Sequence, residues 1–310
     1  LRPQPAVAGC VQTEGPTPML AVFGLFSTLA SLAGRGTVTV SVDGVPAEYT
    51  VVALNRTGAD LVNASGSTVT LGHGPDSQGT RLWVARDSSL SSDSYAYFKL
   101  LGKSLSYVID LSDVGCSCNA ALYWVSMPGF GDDGRPTPGD FGNYYCDANK
   151  VGGVWCWEMD TIEANMHTMQ VTAHDCSGPA GEHISSCDKG GARRNSWFVN
   201  RKGLCPKDDC IIDSRRPFQH VQNFVATNGT LIRIENRLEQ GARAFAFNGT
   251  SDSAYLAKMS GALAGGMVLT FQLWGASWLL MSWLDFMTLC TGSCPANSRA
   301  VYSNISIESL

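Results

Sequence analysis

The stretch WCWEMDTIEAN, residues 155–165, places three carboxylates (Glu158, Asp160 and Glu163) among tryptophan, methionine and isoleucine side chains. On a helix, at about 100° per residue, Asp160 would lie roughly 160° and Glu163 roughly 140° from Glu158, so the acids would point apart. On a strand, Glu158 and Asp160 share a face because side chains alternate with a period of two. Glu163 has the opposite parity and reaches that face only if the strand contains one extra residue, a β-bulge. We therefore predict a strand over residues 154–170 with a bulge between Asp160 and Glu163, and all three acids facing one cleft.

Segments typical of β-strands recur along the rest of the chain, and glycine, aspartate, asparagine and serine separate them. They are TVTVSV (37–42), STVTLG (67–72), TRLWVAR (80–86), LSYVIDL (105–111), AALYWVSM (120–127), TLIRIEN (230–236), RAFAFNG (243–249), GGMVLTFQLW (265–274) and AVYSNISI (300–307). This pattern predicts an all-β sandwich or barrel. The sequence shows no long helical period and no internal repeat. We assign residues 35–310 to a single domain.

The N-terminal part contains an apolar run of signal-peptide length. The run MLAVFGLFSTLASLAG begins at Met19, and Ser31-Leu32-Ala33 forms a small-residue cleavage site, although the usual basic residues are missing. An uncleaved buried segment is the alternative. We therefore interpret residues 1–34 as a signal-like or non-domain segment.

A second apolar run, from Gly265 to Met287, resembles a membrane helix in length. Gln272, two central serines and the lack of basic flanks argue against that interpretation. Two strands buried on both faces and meeting near Gly275 fit the run better. We expect no membrane contact in the mature form.

Composition restricts the classes of function and the cellular compartment. Charged residues make up only 16% of the 310 residues, and the net charge of −5 provides no basic surface for nucleic acid. Ten of the eleven cysteines lie between residues 116 and 294, which indicates disulfides and an oxidising compartment. No C-x-x-C pair and no H-E-x-x-H motif occurs, so we predict no metal and no cofactor. Five N-x-[ST] sequons accompany the cysteines and favour secretion: Asn55, Asn63, Asn228, Asn248 and Asn304.

The acidic stretch reads E-M-D-x-x-E-A-N, which closely resembles the active-site signature of glycoside hydrolase family 7, the fungal and protist cellulases. Further segments resemble that family in the same order: GTRLWVARDSS…YFKLLGKSLSYVIDLS (79–112), CSCNAALYWVSM (116–127), YCDANK (145–150), TAHDC (172–176), CPKDDC (205–210) and the last strands. The resemblance covers roughly residues 60–310, while residues 1–50 have no counterpart. It implies a concanavalin-like β-sandwich, or β-jelly roll, of two curved antiparallel sheets with a glycan cleft on the concave face.

The resemblance also implies roles for the three acids. Glu158 matches the nucleophile, Asp160 its supporting acid and Glu163 the general acid/base of a retaining hydrolase of β-1,4-glucans. A retaining glycosidase needs two carboxyls about 5–5.5 Å apart, one ionised to attack the anomeric carbon and one protonated to donate to the leaving oxygen. Two acids so close push their pKa values apart. A buried hydrogen-bond cluster or a calcium ligand set is the structural alternative for the trio.

Around the acids, the family pattern assigns further glycan contacts. His174 matches a histidine beside the leaving-group site, and Asn119 and Tyr123 match residues on the glycone side. The remaining matches are Tyr145, Asp147 and Asn149 beside the centre (Asn149 replaces a Gln), arginines Arg81, Arg201 and Arg216 for sugar hydroxyls, and Trp274 and Trp283 as stacking platforms. A surface role for each arginine and core packing for the tryptophans are the alternatives.

By the same resemblance, Cys116 pairs with Cys294, Cys146 with Cys156, and Cys176 with Cys205. The cysteines left over would form Cys118–Cys290 and Cys187–Cys210, with Cys10 unpaired or removed with the signal.

The sequence departs from the family pattern at the cleft. WGAS stands where the family has W-D-D, and the loop between Cys146 and Cys156 is short, as are the segments 236–265 and 286–300. An open groove and mainly internal cleavage follow from this trimming, with the 177–204 loop as a partial lid.

We expect a secreted monomer that acts on β-glucan polysaccharide. The alternatives are a non-catalytic glycan-binding or wall-associated homologue, and an enzyme for mixed-linkage or β-1,3 glucans. The extra residue in the acidic motif favours β-1,4 linkages, because a related retaining family with the same fold carries the unbulged E-x-D-x-E.

Overall fold

Every strand-like segment of the sequence forms a strand in the computed structural model, which describes residues 33–53, 61–74, 79–89, 91–140, 142–288 and 290–310. The strands are β1 (Ala33–Val42), β2 (Val45–Ala53), β3 (Val62–Ser65), β4 (Thr68–Gly72), β5 (Thr80–Ala85), β6 (Tyr97–Phe98), β7 (Lys103–Asp113), β8 (Cys118–Val125), β9 (Glu158–Asn165), β10 (Thr168–His174), β11 (Ala192–Asn195), β12 (Leu204–Cys205), β13 (Ile212–Asp213), β14 (Phe218–Thr227), β15 (Thr230–Gln240), β16 (Arg243–Asn248), β17 (Met267–Gly275) and β18 (Arg299–Ser309). The helices are α1 (Ser196–Val199), α2 (Ser253–Gly265) and α3 (Ser282–Asp285), and a 3₁₀ turn spans Phe286–Thr288.

Sixteen of the strands form one hydrogen-bonded order that folds over on itself, and β12 and β13 pair separately. This order is β11-β10-β9-β8-β17-β5-β2-β1-β3-β4-β18-β7-β14-β15-β16, with β6 on β17, and β1 also pairs with β18. Strand β1 therefore joins two halves, which we call the site sheet (β11 to β2 in this order) and the back sheet (β4 to β16).

The two halves pack face to face across a hydrophobic core. Phe271 of the site sheet meets Tyr302 of the back sheet edge to face, with ring centroids 5.1 Å apart. Alternating residues such as Leu105, Tyr107 and Ile109 on β7 are fully buried in this core, as the period-two pattern requires. The predicted β-sandwich is confirmed.

The predicted strand over residues 154–170 is wrong in its extent, because the chain turns back in the middle. β9 ends at Asn165, whose Oδ1 accepts a hydrogen bond from the His167 backbone N–H at 2.9 Å. Such an Asx turn reverses the chain with two residues between the strands. β10 then runs antiparallel to β9 from Thr168.

The apolar run from Gly265 to Met287 is one strand followed by a short helix, so the second predicted strand is wrong. β17 pairs with β8 up to the register Gly275–Cys118, where β8 begins, and the ladder has no partner residues beyond that point. Trp278, Leu279 and Leu280 are exposed in the turn that follows. No helix within the described ranges is long and apolar enough to span a bilayer.

The prediction that the sequence contains no long helical period is wrong, because helix α2 spans 13 residues. Asp252 caps it by accepting from the Tyr255 backbone N–H at 3.0 Å. Leu256, Met259 and Leu263 are buried at helical spacing. Small residues dilute this apolar pattern, which is why the sequence did not reveal it.

The ten cysteines from residue 116 onward form five disulfides, of which only Cys146–Cys156 was predicted correctly. The observed pairs that replace the predicted ones are Cys116–Cys290, Cys118–Cys294, Cys176–Cys187 and Cys205–Cys210. Cys176 and Cys187 face each other across an antiparallel bridge, 4.0 Å apart at their Cα atoms. Cys294 packs so closely on Gly275, opposite Cys118, that a β-carbon there would lie 2.2 Å from the Cys294 β-carbon.

Of the predicted signal-like segment 1–34, only residues 33 and 34 are among the described residues. Cys10 and Asn55 also lie outside the described residues. Strand β1 begins at Ala33 and pairs with β2, β3 and β18. The other four sequon asparagines are exposed.

Candidate active site

The three acids occupy successive positions on one face of β9, because the strand contains the predicted bulge. Glu158, Asp160 and Glu163 lie opposite Val125, Tyr123 and Ala121 of β8, which are spaced by two. The register shifts between Leu122 and Tyr123, so Thr161 is the extra residue. Without it, Glu163 would point toward the core. The predicted bulge and the shared face are therefore confirmed.

The acids line a cavity of about 470 Å³ on the outer face of the site sheet. Strands β5, β8, β9, β10 and β17 and the Cys146–Cys156 loop contribute to its walls. Of the predicted site residues, the lining includes Arg81, Tyr123, Tyr145, Asp147, Asn149, Glu158, Asp160, Glu163, His174, Trp274 and Trp283.

The disulfide loop 146–156 holds Glu158. The Ala148 backbone N–H donates to Glu158 Oε2 at 2.9 Å. The loop keeps its shape because Asp147 Oδ1 accepts from the N–H groups of Asn149 and Val151, each at 2.9 Å. An N–H donor aimed at a carboxylate favours its ionised form. Burial, together with the charges of Asp160 and Asp147, nevertheless raises the pKa of Glu158 well above its ordinary value.

Asp160 pairs with His174, whose ring is held from behind. His174 Nε2 lies 3.0 Å from Asp160 Oδ2, and its Nδ1 donates to the Asp188 carbonyl at 2.7 Å. Burial alone would lower the pKa of His174, but the hydrogen bond and charge of Asp160 raise it to about 10. The imidazolium is therefore charged at neutral pH. Tyr255 of α2 fixes this arrangement by donating to the Asp188 carboxylate at 3.1 Å.

Glu163 lies at the other end of the acidic row, in a setting that favours its protonated form. Asn119 Nδ2 donates to Oε1 at 3.1 Å, and the Thr172 hydroxyl is 3.4 Å from Oε2. Burial, followed by the charge of Asp160, raises the pKa of Glu163 to about 8. A carboxyl that keeps its proton at neutral pH is able to act as a general acid.

The raised pKa of Glu163 predicts that the stability of the fold depends on pH. This prediction does not depend on whether the protein is an enzyme. The carboxyl of Glu163 ionises near 4.5 without its surroundings and near 8 in the folded protein. Its contribution to stability is therefore fully present below pH 4.5 and is lost as the pH rises through 8. Glu163→Gln removes this loss, so we expect its Tm at pH 8 to exceed that of the wild type by at least about 2 °C.

Thermal unfolding at pH 5 and pH 8 measures this difference, and Glu182→Gln is the matched control because Glu182 is exposed. The raised pKa values of Glu158 and His174 also lower the wild-type Tm as the pH rises. The contribution of Glu163 is therefore obtained by comparing the Tm of Glu163→Gln with that of the wild type at each pH. Equal Tm changes in Glu163→Gln and the control would refute the raised pKa.

Aromatic and cationic side chains form the walls beside the acids. Trp274 and Trp283 stack with ring centroids 6.3 Å apart and planes at 21°. Arg81 lies 4.1 Å from the Tyr145 ring centroid, and its Nε donates to Gln272 Oε1 at 3.1 Å. Such surfaces are able to stack against the C–H face of a sugar and donate to its hydroxyls.

The structure does not bring Arg201 or Arg216 to this cavity. Arg201 lies over Trp197, 4.4 Å from the ring centroid, and Arg216 pairs with Asp213 at 3.2 Å. Both are exposed. Their predicted sugar contacts are therefore not part of the site described, since each is held by a partner outside it. Asn119 does not line the cavity wall but reaches the site through Glu163.

Sequence reasoning missed several lining residues, namely Gln170, Thr172, Lys189 and Gln272. Gln170 and Thr172 share the parity of His174 on β10, so period-two alternation from that histidine would have found them. Gln272 appeared only as a polar exception in an apolar run, although it pairs with Arg81. Lys189 carried no local signal, whereas Arg193 belongs to the 177–204 loop that was predicted as a partial lid. They reach the cavity because Gly191, at φ +61°, lets the chain pass against Thr172 and His174.

One group in the described part of the chain has the geometry of a metal site, and its chemistry argues against that role. Cys116, Cys290 and His167 lie close together. The two sulfurs are joined in a disulfide and offer no thiolate to a metal.

The β-sandwich displays a row of carboxyls beside stacked tryptophans, and paired carboxyls are the groups that glycoside hydrolases use. Comparison with known proteins specifies the group. Residues 46–152 match glycosyl hydrolase family 7. The chain is 31% identical to endoglucanase EG-1 of Hypocrea jecorina over 80% of its own length and 62% of the relative's. It is 26% identical to exoglucanase GH7B of Limnoria quadripunctata, covering 72% of this chain and 67% of that one.

Solved structures agree on the fold. An endoglucanase I complexed with cellobiose superposes with a TM-score of 0.73 at 20% identity, over 89% of this chain and 97% of the other. A family 7 cellobiohydrolase from Daphnia pulex gives 0.68 at 18% identity, over 88% and 96%. These comparisons support an assignment to glycosyl hydrolase family 7. The chain spans 62% of the length of the first curated relatives it matches.

Proposed function

We propose that this chain is a secreted retaining hydrolase of β-1,4-glucosidic bonds in cellulose or related β-glucans. The observation that carries the proposal is the bulge at Thr161, which sets Glu158, Asp160 and Glu163 in one row on the cavity floor. Such a bulge separates two facing carboxyls without turning either away from the substrate. The family relatives named endoglucanase and exoglucanase support the substrate class.

In the proposed mechanism, Glu158 attacks the anomeric carbon while Glu163 gives its proton to the departing glycosidic oxygen. The glycosyl ester on Glu158 is then hydrolysed by a water whose proton returns to Glu163. The charge of His174 and the Ala148 N–H favour the ionised form of Glu158 against the burial that raises its pKa. The raised pKa of Glu163 keeps its proton available. His174, charged at neutral pH, balances Asp160 between them.

Chromophore release from an activated aryl cellobioside tests the activity, and the anomer released first, observed by NMR, tests retention. A panel of soluble β-1,4, mixed-linkage and β-1,3 glucans then defines the linkage. Binding of cello-oligosaccharides without release would instead support the non-catalytic glycan-binding homologue.

We further propose internal cleavage in an open groove. The Cys146–Cys156 loop is short and turned in toward Glu158, and α2 packs against β15 of the back sheet. The segment with Arg193 pairs with β10 as β11 and forms one side wall. A groove without a roof binds a polymer chain anywhere along its length.

Viscometry on carboxymethylcellulose, measured beside reducing-sugar release, checks this mode of attack. We expect rapid loss of viscosity at little sugar release, because internal cuts shorten the polymer fastest. Cellobiose as the dominant early product, with the viscosity nearly unchanged, would contradict the open groove.

Export from the cell is supported by the five disulfides and the exposed sequon asparagines. We propose a monomeric extracellular glycoprotein.

A further inference from the structure

Thr161, the extra residue of the bulge, is anchored in the core between the two sheets. On β9, Asp160 lies opposite Tyr123 and Ile162 opposite Leu122, so Thr161 has no partner position on β8. The bulge shifts the β9–β10 register at the same point. A bulged residue loses its place in the ladder, and its polar groups need other partners. The side chain of Thr161 is fully buried.

Gln222, on β14 of the back sheet, contacts Thr161 at two points. The Thr161 hydroxyl donates to Gln222 Oε1 at 2.9 Å, and Gln222 Nε2 lies 3.4 Å from the Thr161 carbonyl oxygen. Trp124 Nε1 donates to the same hydroxyl at 3.0 Å. The bulge is thus connected across the core to the opposite sheet.

A chain of buried hydrogen bonds fixes the orientation of the Gln222 amide. Gln222 Nε2 donates to Asn236 Oδ1 at 2.9 Å, and that oxygen also accepts from His220 Nε2 at 3.1 Å. His220 Nδ1 therefore accepts from the Tyr107 hydroxyl, 2.7 Å away. Burial lowers the pKa of His220 to about 4, so the ring is neutral and holds this tautomer.

The direction of the bonds at Gln222 follows from the Trp124 end of this chain. Trp124 is only a donor, so the Thr161 oxygen accepts from it and gives its own proton to Gln222. The amide of Gln222 then points its nitrogen toward Asn236 and the Thr161 carbonyl. Every polar side-chain atom in this chain of hydrogen bonds has a partner except Asn236 Nδ2, and satisfied polar groups in an apolar core specify one arrangement.

We propose that Gln222, oriented by Asn236 and His220, is a positioning residue that locks the bulge at Thr161 and so keeps Glu163 on the same face as Glu158. The inference rests on the proposed function for its kinetic consequence. If the bulge moves or relaxes, Glu163 loses its position before Glu158 does, because Thr161 separates it from the other acids in the row.

The test uses Thr161→Val, which keeps the shape and removes the hydroxyl, and Gln222→Leu. Glycosylation needs the Glu163 proton with a poor leaving group and not with an activated one. We expect the ratio of kcat/KM for dinitrophenyl over phenyl cellobioside to rise at least about 10-fold in both variants, since general acid catalysis contributes about 10²- to 10⁴-fold. Thr161→Ser, which restores the hydroxyl, should return the ratio to that of the wild type.

Tyr107→Phe is the matched control, because it breaks the same chain at its far end. We expect this variant to lower Tm without changing the ratio. An unchanged ratio in folded Thr161→Val would overturn the proposal, and so would an equal rise in Tyr107→Phe. Thr161→Val decides the matter if Gln222→Leu does not fold.

A second readout separates this inference from the proposed function. The excess fall in Tm between pH 5 and pH 8 that Glu163 causes should shrink in Thr161→Val, because a displaced carboxyl loses the surroundings that raise its pKa. A wild type inactive on both glycosides would refute the proposed function, while this pH dependence would still test the positioning. If the Tm of Thr161→Val falls between pH 5 and pH 8 by as much as that of the wild type, the positioning role of Gln222 is overturned.

Discussion

Glu158→Gln is expected to abolish turnover of every substrate, whatever its leaving group. The amide has the size of the carboxylate and still accepts from the Ala148 N–H, so the fold is kept while the attacking oxygen loses its charge. We expect kcat to fall at least about 10⁴-fold, the scale on which loss of a nucleophile acts. Aryl cellobiosides with activated and poor leaving groups measure the loss.

The exposed Glu182→Gln serves as control for the chemical change, and binding of cello-oligosaccharide to Glu158→Gln shows that the groove is intact. Appreciable turnover of the activated substrate by Glu158→Gln would contradict the assignment of the nucleophile. Equal loss in Glu182→Gln would point to an effect unrelated to the cavity.

Glu163→Gln is expected to split the two chemical steps. With a dinitrophenyl leaving group the first step needs no proton, so glycosylation survives and the glycosyl-enzyme accumulates as a burst of chromophore. The second step slows because no base takes the proton from water. With a poor leaving group we expect a fall of about 10²- to 10⁴-fold, the usual contribution of a general acid.

Azide provides the sharper form of this experiment. As an anionic nucleophile it needs no general base, so it should accelerate the second step of Glu163→Gln and yield a β-glycosyl azide with retained configuration. The raised pKa of Glu163 further predicts that the wild type loses glycosylation of the poor substrate as pH rises through about 8. Identical behaviour of Glu158→Gln and Glu163→Gln on all substrates, with and without azide, would refute the two assignments.

Local patterns in the sequence were sufficient to predict the main strands and the bulge, which depend on residues close together along the chain. Alternation with a period of two identified the main strands, and the parity of Glu163 required the bulge that the register shows. The Cys146–Cys156 bridge was predicted from the family resemblance and not from spacing, since the equally local bridges Cys176–Cys187 and Cys205–Cys210 were both missed. The asparagine at 165 carried a turn signal, but the continuous acidic and apolar pattern concealed it and the strand was drawn too long.

Partners distant along the chain depended on how the two sheets close over each other. Cys116 and Cys118 are two residues apart, so spacing did not distinguish Cys290 from Cys294, and the family resemblance selected the wrong partners. Cys294 packs closely on Gly275, opposite Cys118, and pairs with Cys118. The ladder between β17 and β8 ends at Gly275 and Cys118, and the rest of the second apolar run forms a turn and a short helix. Burial of charge, which raises the pKa of Glu163, likewise exists only in the closed fold.

The bulge in β9 depends on both the local sequence and the tertiary structure. The spacing of Glu158, Asp160 and Glu163 requires one extra residue, and this requirement is written in the order of the amino acids. That Thr161 is the residue held out of register depends on Gln222, 61 positions away, which meets it across the core. Parity is a property of the chain, whereas the partner that stabilises a break in parity is supplied by the opposite sheet.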